Sequence, residues 1–265
     1  MRKKLMRILP LILVIAIGTM SIRLFVVAAP QKTDKNNTEK GVSYLAAQEK
    51  KDGDAAASLV KDAQEAYDIA RANEINAKAR KTRNYKPAFK HIVISGDSIV
   101  KAIWEYGILD KSQVIAEINA GSIYLKKNIK KIVKAKPKYL ILHYGENEVT
   151  TKKHAHEFKN AYAACIKTLQ KKLPNTKIYV DSIFPVQKKA FKKEPYLKNI
   201  PYYNTCIKEM AEELGVTYIN YNSMWKSFDE NYYDADGVHP LKKFYTVQYL
   251  PFILERVSNE QNKKQ

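Results

Sequence analysis

The stretch His91-Ile92-Val93-Ile94-Ser95-Gly96-Asp97-Ser98-Ile99 decides the fold. Residues 91–94 form a short apolar strand. The polar cluster Ser95-Gly96-Asp97-Ser98 follows at once, and Ser98 opens the next helix. The same grammar repeats outward along the chain. An apolar strand at 114–118 runs into Asn119-Ala120-Gly121-Ser122, and one at 139–143 is followed by Gly145-Glu146-Asn147-Glu148. Two more strands read at 178–183 and 216–220. Helical patterns at 123–133 (apolar at Leu125, Ile129, Ile132 and Val133), 158–173, 203–214 and 244–257 fall between or after them. Strands alternating with helices predict an α/β fold, a mostly parallel five-stranded sheet covered on both faces. In such sheets ligands bind beyond the carboxyl ends of the strands, which is where the polar clusters lie. A last cluster, Asp236-Gly237-Val238-His239-Pro240, stands near the C-terminus. No internal repeat is present.

These clusters hold the parts that acyl transfer needs: a hydroxyl nucleophile, a base, a carboxylate to orient the base, and donors for an oxyanion. Ser98 sits at a helix start, where free N–H groups favour negative charge. Gly121 allows close backbone approach and offers a second N–H. Asn147 adds a side-chain amide. His239 is the candidate base, and Asp236, three residues earlier, reaches its other ring nitrogen across one turn. Asp234 has the wrong spacing for that contact.

Taken in order, the clusters resemble the conserved blocks of the SGNH hydrolases, also called GDSL esterases, over roughly residues 91–245. The resemblance implies a flavodoxin-like three-layer α/β/α sandwich. It implies Ser98 as nucleophile, Asp236 and His239 as the rest of a triad, and Ser98, Gly121 and Asn147 as the oxyanion hole. The sequence departs from the family's habit in places. Ile99 stands where Leu is common, Glu148 where Asp often follows the asparagine, and the second block lacks a further glycine. The elbow G-x-S-x-G is absent, since position 100 is Val, which argues against the α/β-hydrolase fold.

The flanking sequence suggests where such an enzyme works. Residues 1–7 carry Arg2, Lys3, Lys4 and Arg7, and an apolar run follows from Ile8. Residues 1–30 therefore read as a signal peptide or N-terminal membrane anchor, which implies an extracytoplasmic location. Residues 31–54 read as a polar linker. Residues 55–86 read as a stalk or packing helix, with Leu59, Ala63, Ala66 and Ala70 at helical spacing and Pro87 as its stop. Residues 87–265 form the hydrolase domain. The net charge of +19 implies an anionic neighbourhood; export removes nucleic acid as the partner and leaves the cell envelope.

The remaining candidates have plainer readings. Cys165 and Cys206 read as two buried thiols. His154 and His156 lack a further metal ligand and read as a solvated helix start, and His143 as a hydrogen-bonded histidine at a sheet end. The run Lys126, Lys127, Lys130, Lys131, Lys134, Lys136 and Lys138 reads as a solvated helix face. Trp104 and Trp225 could stack on sugars, though aromatics more often fill cores. The expectation is a cofactor-free, metal-free serine esterase acting on a small acyl group, acetyl first, of a cell-surface glycan. Alternatives with the same triad are an O-acyltransferase to an envelope polysaccharide and a lipid-directed esterase (lysophospholipase or thioesterase). A non-catalytic envelope-binding protein is the reading from another class.

Overall fold

A computed structural model describes residues 35–221 and 232–262. The signal or anchor expected at 1–30, and Trp225, lie outside the described residues. Among the described residues no helix is long and apolar enough to cross a membrane.

The chain divides into two units, Met1–Ala63 and Gln64–Gln265. Helix α1 (Lys35–Thr82) begins in the first. It starts inside the polar stretch read as a linker, and it ends at Thr82 rather than at Pro87. Arg83 follows with φ +57, the left-handed conformation that often closes a helix. The stripe Leu59, Ala63, Ala66 and Ala70 is exposed. Packing begins one stripe later. Ala72, Ile75 and Asn76 are half-buried and Ala79 is buried, which is the spacing of one helical face. Asn76 Nδ2 donates to Ser258 Oγ at 2.8 Å in the C-terminal helix.

The second unit is the α/β domain. Its sheet contains β1 (Ile92–Gly96), β2 (Val114–Ala116), β3 (Tyr139–His143), β4 (Lys177–Asp181) and β5 (Thr217–Ile219), in the order β2-β1-β3-β4-β5. Every pairing is parallel. The helices between strands are α2 (Ser98–Glu105), α3 (Ser122–Ala135), α4 (Lys152–Lys172) and α5 (Ile200–Leu214), and the chain continues through a helical turn at Lys242–Phe244 and a π-helical turn at Tyr245–Tyr249 into α6 (Leu250–Asn262).

Two cores sandwich the sheet. Val93, Leu140, Leu142 and Val180 face Leu125, Ile129 and Ile132 of α3, Phe158, Tyr162 and Ile166 of α4, and Ile207 and Met210 of α5. Ile92, Ile94, Ile141 and Tyr179 face Ile99, Val100 and Ile103 of α2 and Leu250, Ile253 and Leu254 of α6. Burial on both faces is why β1 and β3 read as continuous apolar runs rather than alternating ones. Cys165 on α4 and Cys206 on α5 are free and buried.

The sheet order sets the site. Strand β1 has β2 on one side and β3 on the other, so the connections leaving β1 and β3 travel to opposite faces. A crevice opens between their carboxyl ends. Gly96 at the end of β1 lets α2 turn back tightly. A Cβ there would lie 2.4 Å from Val100 Cγ2 and 2.6 Å from the His143 carbonyl oxygen.

Candidate active site

Ser98 is the first residue of α2, and Asp97 is its cap. Asp97 Oδ1 accepts the Ile99 N–H at 3.0 Å, a helix-capping contact that fixes the strand-to-helix turn. Burial raises the Asp97 carboxyl above its ordinary range, against the pull of His143 and the Ile99 N–H. Its Oδ2 is buried without a hydrogen-bond partner.

The loop at residues 234–240 delivers the base. Asp234 N–H donates to the His239 carbonyl at 2.8 Å and Gly237 N–H to the Asp234 carbonyl at 3.0 Å. Gly237 takes φ +75 to close this turn. The turn brings His239 Nε2 to 3.1 Å from Ser98 Oγ. On the other side of the ring, Nδ1 lies 2.7 Å from Asp236 Oδ2. Asp236 Oδ1 meanwhile accepts the N–H groups of Val238 at 2.8 Å and His239 at 3.0 Å. Burial pushes the Asp236 carboxyl up, but these two N–H groups and the imidazole outweigh it, so the carboxyl stays below its ordinary range. Asp234 spends its own Oδ1 on the Ala235 N–H. The contact to His239 belongs to Asp236.

The remaining expected site residues arrive on the two other loops. Gly121 caps α3 in an extended conformation. Asn147 lies on a 3-10 turn after β3, exposed, and its Nδ2 donates to the Ala120 carbonyl at 3.2 Å. The 120–122 and 146–148 loops are thus joined at their tips, on the crevice side of the sheet. Chemically, the arrangement can move a proton from Ser98 Oγ to His239 Nε2, with the Asp236 contact favouring the tautomer that leaves Nε2 free to accept it.

Glu148, marked in the sequence only as a departure from the family pattern, and the buried partners of His143 belong to this region. Glu148 holds Ser122 with both carboxylate oxygens; its place beside Asn147, where Asp is more usual, was the available signal. Beneath the site, His143 Nδ1 lies 3.2 Å from Asp181 Oδ2, which also accepts Tyr249 O–H at 2.8 Å, while Tyr221 O–H reaches Oδ1 at 3.3 Å. All four are buried. Burial raises the Asp181 carboxyl, and His143, Tyr249 and Tyr221 pull against it. Nothing in the sequence pairs these residues, because they meet only across strands and the C-terminal segment. Tyr249→Phe removes a donor from a buried carboxylate, so a loss of about 1–3 kcal/mol is expected from the shift in urea midpoint at unchanged slope.

The other candidates settle as surface features. His154 Nδ1 meets Glu157 at 2.9 Å and His156 Nε2 meets Tyr202 O–H at 2.9 Å. The lysine run on and after α3 is exposed throughout. Lys111 Nζ lies 5.0 Å over the half-exposed Trp104 ring. Among the described residues no group of His, Cys, Asp and Glu could hold a metal ion.

The sequence model of the GDSL-like Lipase/Acylhydrolase family matches residues 112–247. The chain belongs to this family. The matched span contains Gly121, Asn147, Asp236 and His239 and begins after Ser98. No curated protein matches this GDSL-like acylhydrolase. Among solved structures, its fold is similar to a GDSL-like lipase from Bacteroides thetaiotaomicron. That likeness has TM-score 0.50 and 15% identity, covering 70% of this chain and 98% of that one. A lipase/acylhydrolase from Enterococcus faecalis gives TM-score 0.49 and 15% identity, covering 64% and 95%. A catalytic mutant of an acetylxylan esterase from Geobacillus stearothermophilus gives 0.46 and 15%, covering 62% and 92%. The Bacteroides thetaiotaomicron structure and the all-parallel sheet agree on the α/β architecture, and the family makes the protein an ester-cleaving enzyme.

Proposed function

We propose that this GDSL-like hydrolase is an extracytoplasmic serine esterase that removes a small acyl group, acetyl first, from a cell-surface glycan. The observation that carries the reading is the chain of contacts Ser98 Oγ to His239 Nε2 at 3.1 Å and His239 Nδ1 to Asp236 Oδ2 at 2.7 Å. In this reading Ser98 Oγ attacks the ester carbonyl as His239 Nε2 takes its proton. The Ser98 and Gly121 N–H groups and Asn147 Nδ2 receive the negative charge that develops on the carbonyl oxygen. His239 returns the proton to the leaving alcohol, and Ser98 is left acylated. Water then repeats the sequence, with His239 as base, and releases the acid. Asp236 holds the imidazole throughout.

Side-chain exposures of 46% for His239 and 40% for Asp236 support hydrolysis by open access to water. The basic-then-apolar start of the chain supports the location. The net charge of +19 supports an anionic envelope as the setting. The test is hydrolysis of p-nitrophenyl esters of increasing chain length by the full chain. Highest kcat/KM on acetate is expected. A rising preference for long chains points to the lipid-directed alternative and sinks the small-acyl reading.

A further inference from the structure

One departure from the family's habit, Glu148 after Asn147, meets the Gly121 block in space. Glu148 Oε2 accepts the Ser122 N–H at 3.0 Å and Oε1 accepts the Ser122 hydroxyl at 2.6 Å. One residue back on the second loop and two back on the first, Asn147 Nδ2 donates to the Ala120 carbonyl at 3.2 Å. Three hydrogen bonds thus tie the loop after β2 to the loop after β3. The Ala120 carbonyl and the Gly121 N–H share one planar trans peptide group and point opposite ways across it, so the contact that holds the carbonyl toward Asn147 directs the Gly121 N–H away from that side chain. The Ser122 contacts pin the same backbone from the other side of Gly121.

The steric fit is equally specific. A Cβ on Gly121 would lie 2.7 Å from Glu148 Cδ and 2.8 Å from its Oε2. Gly121 has φ −136, extended backbone that any residue adopts. The need for glycine there therefore comes from the Glu148 carboxylate lying against it, and not from the backbone conformation. Burial raises the Glu148 carboxyl above its ordinary range, and the two Ser122 donors offset that cost.

We infer that Glu148 is a positioning residue that sets the Gly121 donor of the oxyanion hole, and that Gly121 and Glu148 form one sterically matched pair. The inference rests on the serine-esterase reading above. Donors held in place before reaction act on the charge of the transition state more than on the bound ester. Losing the clamp must therefore appear in kcat and leave KM nearly unchanged, which a merely destabilised fold would not do.

The test is steady-state hydrolysis of p-nitrophenyl acetate by the full chain, with circular dichroism to establish the folded fraction. Glu148→Ala is expected to lower kcat about 30- to 100-fold with KM within about threefold, and Glu148→Gln, which keeps an acceptor for Ser122, to stay within about fivefold. Glu148→Asp draws the carboxylate back by one methylene and is expected to lose about tenfold in kcat, which keeps the test alive if the alanine variant does not fold. Gly121→Ala is expected to cost about 100-fold alone, yet no more than about threefold when added to Glu148→Ala, because the clash is then gone. Normal kcat in Glu148→Asp and Glu148→Ala, a loss confined to KM, or additive effects in the double variant overturn the inference. If the unmodified chain neither turns over esters nor is labelled at Ser98 by a fluorophosphonate, the serine reading falls and this inference falls with it. If the unmodified chain is active and Ser98→Ala is dead while the Glu148 variants are normal, only this inference falls.

Discussion

Ser98→Ala is expected to lower hydrolysis of an activated acetyl ester by about 10⁴-fold or more, with the melting temperature nearly unchanged. Without the hydroxyl no acyl-enzyme forms, and the imidazole has no proton to take. The oxyanion donors and substrate binding remain, so a small residual rate above the uncatalysed one is expected. The fold does not depend on the hydroxyl. Ser98 is half-buried, its Oγ contact is to the exposed His239 ring, and the turn into α2 is held by Asp97 and the Ile99 N–H. A stability change within about 0.5 kcal/mol follows. The decisive measurement pairs turnover with fluorophosphonate labelling. Retained turnover or retained labelling in the alanine variant would show that another group carries the chemistry.

The second large effect is expected from Asp236→Asn, a loss of about 10³- to 10⁴-fold in kcat. Asparagine keeps one carbonyl oxygen for the Val238 and His239 N–H groups, so the loop keeps its shape. Its NH₂ then replaces Oδ2 and faces His239 Nδ1 at the 2.7 Å contact. A donor there drives the imidazole into the tautomer with its proton on Nε2, which points at Ser98 Oγ and blocks proton removal. Burst labelling of Ser98 should slow in parallel with turnover. A kcat within tenfold of the unmodified protein contradicts this role. The carboxyl also has a signature in acid. Its folded-state pKa is depressed below the ordinary value of 3.8. Its contribution to stability is therefore complete above that value and is lost as pH falls through the lower folded one. Asp236→Asn should flatten this part of the acid-unfolding profile.

Much of this architecture was legible from residue patterns because it rests on local physics. The five strands form where apolar runs stand between helical patterns, since strands buried on both faces require such runs. Their ends moved by a few residues. The second strand stops at Ala116 rather than 118, where Glu117 turns out to pair with Lys101 at 2.6 Å. The first strand runs on to Gly96, whose missing side chain lets pairing continue to His143. The start of the first helix at Lys35 rather than near residue 55 was not legible, because lysines, glutamates and alanines compose an exposed helix and a flexible linker alike. Ser98, His239 and Asp236 could be singled out together because each sits within two residues of a turn-forming glycine in a polar cluster. Glu148 and the Asp181–Tyr249 pair could not, since their meaning lies in contacts 26 and 68 residues apart in sequence.

The sheet that carries the site ends on each side in a strand of only three residues, β2 and β5. An outer strand presents unpaired amide groups that can recruit another copy of the chain, and the hazard grows with its length. Here each margin offers a template too short to hold a stranger in register. The longer central strands, whose apolar runs would be the most adhesive, are sealed between neighbours. The architecture thereby limits edge-to-edge aggregation through the shortness of its outer strands.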